Sequence, residues 1–374
     1  MIPSPAFVIE EEKFHTNLTR LKEIKESTGI RLLMALKGFA LPALMTDILQ
    51  VADGIAVSSL NEAKLGYIYG GKPVHLYMPA YRPQEIPELI PITSHWTFNS
   101  LEAFNQWVPY LPPHLSIGLR INPHYGYASA DIYNPGRPGS RLGVPLRGLP
   151  DKLPPPISGL HIHTLCEAGA EALEALIQNL VEKFERWLKQ ITWLNLGGGH
   201  LLTHREYDLS KLAKIIQDLR SYFPNLREIY MEPSAAFVWE AGYLLAEVLD
   251  ITATEGRNWA MLDVSFTAHM PDTLEMPYKP KVREALAEVN LAYPTYWLGG
   301  ATCLAGDEMG PYSFPTPLEV GMRLTFHDMA HYTFVKTTFF NGAAHPSLVI
   351  QNTRGYRVVK TFLFQDYLNR LRNV

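Results

Sequence analysis

Residues 157–200 read ISGLHIHTLCEAGAEALEALIQNLVEKFERWLKQITWLNLGGGH. The stretch opens on a short, nearly continuous apolar run at 157–163. Leu173, Leu176, Ile177, Leu180, Val181, Phe184, Trp187 and Leu188 follow at spacings of three or four, ringed by Glu171, Glu174, Glu182, Lys183 and Glu185. That spacing predicts an amphipathic helix with one buried stripe. A second apolar run at 192–196 ends in three glycines. Short apolar runs without polar alternation are what parallel strands need when both faces are covered. The stretch therefore reads as strand, helix, strand.

The same rhythm extends both ways. Eight candidate strands fall at 31–36, 54–57, 74–77, 96–98, 115–121, 157–163, 192–196 and 228–231. Leu209, Leu212, Ile215, Ile216 and Leu219 repeat the helical stripe after the seventh. Eight strand–helix units in roughly 250 residues is the arithmetic of a (β/α)8 TIM-like barrel. An open doubly wound sheet is the alternative. The Pro-rich stretch at 145–156 reads as a loop. Beyond about residue 240 strand-like runs follow one another, at 243–251, 259–264, 296–298, 323–326, 333–337, 347–350 and 358–364. Glycines, prolines and Asx residues separate them, which predicts a mostly antiparallel C-terminal β domain. The expected division is a barrel over 10–240 and a β domain over 241–374, with residues 1–9 adding a strand to the latter.

Composition narrows the function. Of 374 residues, 47% are hydrophobic and 19% charged, ordinary for a globular chain with a large core. Thirty-three Lys and Arg stand against 37 Asp and Glu, a net charge of −4, so no nucleic-acid footprint is expected. No apolar run approaches the roughly 20 residues of a membrane span. The start, MIPSP, has neither the cationic nor the long apolar region of a signal peptide. Two cysteines, Cys166 and Cys303, make a disulfide framework implausible and suit a reducing cytoplasm.

Barrel enzymes build their sites at the carboxyl ends of the strands. Here those ends carry Lys37, Ser58 and Ser59, Asn99 and Ser100, Arg120 and Asn122, His161 and His163, Gly197 to His200, and Glu232. Lys37 is a strand-end lysine reaching solvent, or a desolvated amine able to form a Schiff base. Gly197, Gly198 and Gly199 make a tight turn, or a cradle of N–H groups for a phosphate. His161 and His163 share a face, as a metal pair, a ring-stacking group or hydrogen-bonded core. A metal would need further ligands, and Glu232 and His200 are the ones at hand. Buried Glu232 needs a partner, either an arginine or a protonated pyridine nitrogen. Cys303 and Asp307 share a Gly-rich loop, where a thiol reads as a proton donor or nucleophile. Cys166 is a cofactor contact or buried filler.

Seven stretches carry a family resemblance: 35–40 (ALKGFA), 133–143 (YNPGRPGSRLG), 159–167 (GLHIHTLCE), 195–200 (NLGGGH), 268–273 (AHMPDT), 302–310 (TCLAGDEMG) and 331–342 (HYTFVKTTFFNG). With these the chain resembles, end to end, the pyridoxal-phosphate enzymes of the alanine racemase and ornithine decarboxylase fold, and within them the carboxynorspermidine/carboxyspermidine decarboxylases. The resemblance implies that Lys37 holds the aldehyde of pyridoxal 5'-phosphate and that His163 stacks on its ring. It implies that Gly197, Gly198, Gly199 and Tyr332 bind the phosphate and that Glu232 pairs with the pyridine nitrogen. Cys303 resembles the thiol that protonates the product carbon, and Asp272 and Asp307 resemble carboxylates that receive substrate ammonium groups. Arg141 is a further candidate cation. A cytoplasmic homodimer with shared sites, acting in spermidine or norspermidine biosynthesis, is implied as well.

One departure bears on the substrate. Where relatives commonly read Glu-Pro-Gly-Glu, this chain reads Glu232-Pro233-Ser234-Ala235. The missing second glutamate removes a counter-charge and leaves space, which suits a guanidino-ended substrate such as carboxyaminopropylagmatine. The alternatives are a decarboxylase of another amino acid such as diaminopimelate, a racemase, a barrel metallohydrolase and a non-enzymatic cofactor-binding protein.

Overall fold

The computed structural model describes residues 1–71, 73–128 and 131–372. Two compact units are present, Met1–Thr16 with Val238–Val374, and Asn17–Phe237. The chain opens with β1 (Ala6–Glu10) and α1 (Glu11–Thr28). Strand and helix then alternate: β2 (Arg31–Ala35), α2 (Pro42–Val51), β3 (Gly54–Val57), α3 (Leu60–Gly70), β4 (Val74–Tyr77), α4 (Ile86–Leu89), β5 (His95–Phe98), α5 (Leu101–Trp107), β6 (Ser116–Asn122), the two-residue β7 (Val144–Pro145), β8 (Ile157–His161), α6 (Ala170–Leu188), β9 (Trp193–Asn195), α7 (Leu209–Tyr222) and β10 (Glu228–Met231).

Neighbours among β2, β3, β4, β5, β6, β8, β9 and β10 pair in parallel. The last strand, β10, returns to β2, and that pairing closes the barrel. An open sheet would have left both edges free. The stripe read at 173–188 is the buried face of α6, with Leu173, Leu176, Leu180, Phe184 and Leu188 out of solvent. Short polar residues start several helices. Ser59, Ser100 and Asp208 accept from the Glu62, Ala103 and Lys211 N–H groups, covering donors that the first turn leaves free.

After α8 (Ser234–Val238), which ends at the unit boundary, the chain runs through β11 (Gly242–Thr254), β12 (Arg257–Leu262), α9 (Phe266–His269), α10 (Asp272–Glu275), β13 (Thr295–Gly299), β14 (Glu308–Ser313), β15 (Arg323–His327), α11 (Thr333–Lys336), β16 (Ser347–Asn352), β17 (Gly355–Lys360) and α12 (Phe364–Leu371). The sheet order is β14-β13-β12-β11-β1-β16-β17, with β15 on β11. Most pairings are antiparallel; β1 with β16 and β12 with β13 are parallel. Phe7, Leu244, Val248, Leu262, Phe266, Phe314 and Phe326 pack its core.

Two expected strands differ. Residues 333–337 form α11, a single turn, although Thr333, Val335 and Thr337 favour a strand. Side-chain bonds decide it: Thr333 Oγ1 donates to Asp272 Oδ2, and Thr337 Oγ1 to the Thr333 carbonyl. The run at 358–364 breaks at Lys360 and yields to α12, where Asp366 Oδ2 accepts from the Leu363 N–H. The sequence reading passed over β14 because EMGPYS holds a glycine and a proline and no apolar run. Among the described residues no helix is long and apolar enough to cross a membrane.

Candidate active site

Lys37 stands two residues beyond β2 in a turn closed by the Gly38 N–H on the Ala35 carbonyl. The buried Ser234 hydroxyl donates to that same carbonyl at 2.6 Å. The start of α8 is thereby tied to the strand that presents the lysine. Protein crowding lowers the Lys37 pKa; Glu232 pulls it back up and Arg120 pushes it further down.

Glu232 lies just past β10 and is buried. Its Oε1 accepts from Asn195 Nδ2 at 2.7 Å. Asn195 Oδ1 in turn accepts from the Gly197 N–H, and the Gly197 carbonyl from the Glu232 N–H. Carboxylate and glycine loop are thus one bonded unit. Gly197 and Gly199 have φ of +72° and +86°, a region closed to most side chains. A Cβ on Gly197 would meet the Ile162 carbonyl at 2.5 Å, and one on Gly199 the Leu165 carbonyl at 2.0 Å.

His163 Nδ1 accepts from the Gly198 N–H at 3.2 Å and lies 3.9 Å from Glu232 Oε2. That bond places any proton of the neutral ring on Nε2. Burial holds the His163 pKa well below the ordinary value. His161 is core, but among the described residues neither ring nitrogen has a hydrogen-bond partner. Its pKa is pushed down to about 3, first by burial, and its Nε2 stands 3.7 Å from Glu232 Oε1. His200 is also core, against the Leu196 carbonyl, with its pKa lowered to about 4 by burial. The Cys166 thiol is pushed up to about 11 by burial, so it stays protonated at neutral pH.

The sequence reading names Arg120 at a strand end and Asn195 in the NLGGGH stretch without giving either a role, and passes over Tyr77. Arg120 is buried in β6, donates to the His163 carbonyl at 2.9 Å and lies 4.6 Å from the centre of the Tyr77 ring. An arginine inside an apolar barrel strand was the signal for it.

Arg141 stays in the barrel unit, its carbonyl accepting from Asn99 Nδ2 at 2.9 Å, and Asp272, Cys303, Asp307 and Tyr332 lie in the C-terminal unit. Asp272 begins α10, and its Oδ2 accepts from Tyr278 Oη at 2.9 Å and Thr333 Oγ1 at 3.0 Å. Its Oδ1 is buried with no partner among the described residues. Tyr278, whose proton is held strongly by burial and by Asp272, was another residue the sequence reading missed. Tyr332 precedes Thr333 with φ of +52°. Cys303 is exposed and free. Asp307 is only 4% exposed and its carboxylate is occupied by Thr267 and Thr302.

The His161, His163 and Glu232 ligand atoms lie within 4.8 Å of one another, close enough to hold a metal ion. The same unit offers an exposed lysine, a glycine cradle and a buried carboxylate, the donor set of an aldehyde cofactor that bears a phosphate and a basic ring nitrogen. The profile of the family described as pyridoxal-dependent decarboxylase, C-terminal sheet domain, matches residues 8–330. The chain belongs to the pyridoxal-dependent decarboxylases. It is a pyridoxal-phosphate-dependent carboxy-lyase on the barrel-plus-sheet fold of that family.

The family's members differ in similarity to this chain. A carboxyaminopropylagmatine decarboxylase of Synechocystis sp. is 45% identical over 372 residues, 99% of this chain and 96% of the relative. A carboxynorspermidine/carboxyspermidine decarboxylase of Campylobacter jejuni is 37% identical, with 100% of this chain and 99% of the relative aligned. The crystal structure of carboxynorspermidine decarboxylase complexed with norspermidine, from the same organism, matches with a TM-score of 0.90 at 36% identity, covering 99% of this chain and 100% of that one.

Proposed function

We propose that this decarboxylase removes carbon dioxide from a carboxylated polyamine, a carboxynorspermidine- or carboxyspermidine-type substrate, in the making of spermidine or norspermidine. Asp272 carries the reading. A half-buried carboxylate with one oxygen held by Tyr278 and Thr333 and the other without a partner among the described residues is a ready acceptor for a substrate ammonium. Full-length relatives at 45% and 37% identity bear the names of decarboxylases for such compounds.

Bound pyridoxal phosphate supplies an electron-accepting ring for the electron pair left as carbon dioxide departs. Lys37 would hold its aldehyde carbon, helped by the lowered pKa that keeps part of the amine uncharged. Gly197, Gly198, Gly199 and Tyr332 would bind its phosphate. His163 would lie against the ring, its Nδ1 fixed by Gly198. Glu232, oriented by Asn195, would keep the ring nitrogen protonated. Cys303 would deliver the proton that replaces carbon dioxide on the α-carbon. The resemblance also supports a homodimer with shared sites, and the two free thiols suit a reducing cytoplasm.

A guanidino-ended substrate, carboxyaminopropylagmatine, is the second reading. Half-buried Ala235 stands where relatives place a glutamate, and the 45% relative is named for that compound. Carbon dioxide release by the cofactor-loaded protein decides between them, with carboxynorspermidine, carboxyspermidine, carboxyaminopropylagmatine and diaminopimelate offered side by side. One of the first three is expected to turn over. Diaminopimelate alone, or nothing, would sink the polyamine reading. Ala235→Glu should move preference toward the amine-ended substrates, and an unmoved ranking would remove Ala235 from the account.

A further inference from the structure

The two acidic candidates of the C-terminal unit are not alike. Asp272 keeps a buried oxygen without a partner. Asp307 has none to spare. Its Oδ1 accepts from the Thr267 N–H at 3.0 Å; its Oδ2 accepts from the Thr302 N–H at 3.1 Å and from Thr302 Oγ1 at 2.6 Å. A carboxylate has about four lone-pair sites, so three donors nearly fill it. At 4% exposure it is also closed to an incoming ammonium.

Those bonds wind the loop that carries Cys303. The Gly300 N–H donates to the Asp307 carbonyl, and the Asp307 N–H to the Leu304 carbonyl. Thr302 Oγ1, besides donating to Asp307, accepts from the Leu304 N–H at 3.4 Å. Thr302 is therefore tied to the carboxylate directly, and Leu304 through Thr302 Oγ1 and the Asp307 N–H. Cys303 itself donates its N–H to Asn341 Oδ1 at 3.4 Å. A Cβ on Gly300 would lie 2.3 Å from Asp307 Oδ2, so the wrap needs glycine. Ala301, Cys303, Leu304, Ala305 and Gly306 are all exposed, and no apolar side chain anchors the turn. The bond to Thr267 fastens it to α9, which runs on into α10 and Asp272.

We propose that Asp307 is a positioning residue that fixes the loop carrying the Cys303 thiol, and that it is not a ligand for a substrate amine. This rests on the reading of Cys303 as the proton donor. Asp307→Asn keeps the side chain's size but turns an NH2 toward backbone and hydroxyl donors, so at least one bond is lost. Misplacing a reacting group by about 1 Å costs up to about a hundredfold in rate.

The test uses the cofactor-loaded protein for kinetics and amide hydrogen exchange for the loop. Asp307→Asn should lower kcat by about ten- to a hundredfold, with KM changed by no more than about twofold and exchange accelerated across 300–307. Asp272→Asn should instead raise KM. A residue acting through Cys303 is non-additive with it. The double variant Asp307→Asn/Cys303→Ala should therefore be no slower than Cys303→Ala alone. Should Asp307→Asn fail to fold, Thr302→Val removes the 2.6 Å bond with little change of shape and should show the same non-additivity. A raised KM with unchanged loop exchange would overturn the proposal in favour of an amine ligand. Losses that multiply would overturn it while leaving Cys303 as the donor. A Cys303→Ala protein with full kcat would overturn the donor reading, and the proposal with it.

Discussion

Glu232 acts on the titration of Lys37. Crowding lowers the lysine's pKa, and the carboxylate's charge raises it again. Glu232→Gln removes the raising influence and leaves the lowering one, so the variant's lysine should shed its proton at a lower pH than the wild type's. The pH dependence of pyridoxal-phosphate capture by the cofactor-free protein reads this directly. Its midpoint should move to more acid pH, and an alkaline shift would show that the attraction is not felt. At this scale the sequence was informative where chemistry and position coincide. A lysine, a histidine and a glutamate at strand ends announce themselves. Tyr278 does not, because its bond to Asp272 follows from the turn of α10 and not from any pattern of residue types. Asp307 was readable as a carboxylate near a thiol, but its saturation by three donors was not.

Elements were legible where local physics had no competitor. The helical stripe of α6 and the apolar runs of the barrel strands carry their own signal, and Asp208 marks the start of α7 by capping it. Asp208→Ala should cost about 1 kcal/mol, seen as a lower urea midpoint with carbon dioxide release unchanged. A midpoint equal to wild type would mean that another group, or solvent, serves the Lys211 N–H equally well. The misreading of 333–337 has the opposite lesson. β-branched residues point to a strand, yet α11 is held by hydroxyl bonds, one of them to a residue 61 positions away in sequence. No window of local propensity contains that partner.

For the whole molecule, Lys37, His163, Gly197 to Gly199 and Glu232 fall in Asn17–Phe237, and Cys303, Asp272 and Tyr332 in the unit formed by Met1–Thr16 and Val238–Val374. In a homodimer with shared sites, Lys37→Ala and Cys303→Ala damage different contributions to a site. Mixed and allowed to exchange subunits, the two proteins should regain activity up to about one quarter of wild type, since random pairing leaves about one site in four intact. Sedimentation should report twice the 42.2 kDa of the chain. A monomer, or a mixture no better than its parts, would remove subunit sharing from the proposal. The sequence by itself determined the strand–helix rhythm, the change of texture near residue 240, a composition without basic excess and the reactive residues at the strand ends. All of these follow from composition and spacing along the chain. Only the tertiary structure decided that the barrel closes through β10 on β2, that Asn195 binds Glu232 to the glycine loop, and that Asp272 keeps a free oxygen while Asp307 does not. The barrel closure and the Asn195–Glu232 bond pair residues distant in sequence, and hydrogen-bond capacity is assigned only when the partners meet.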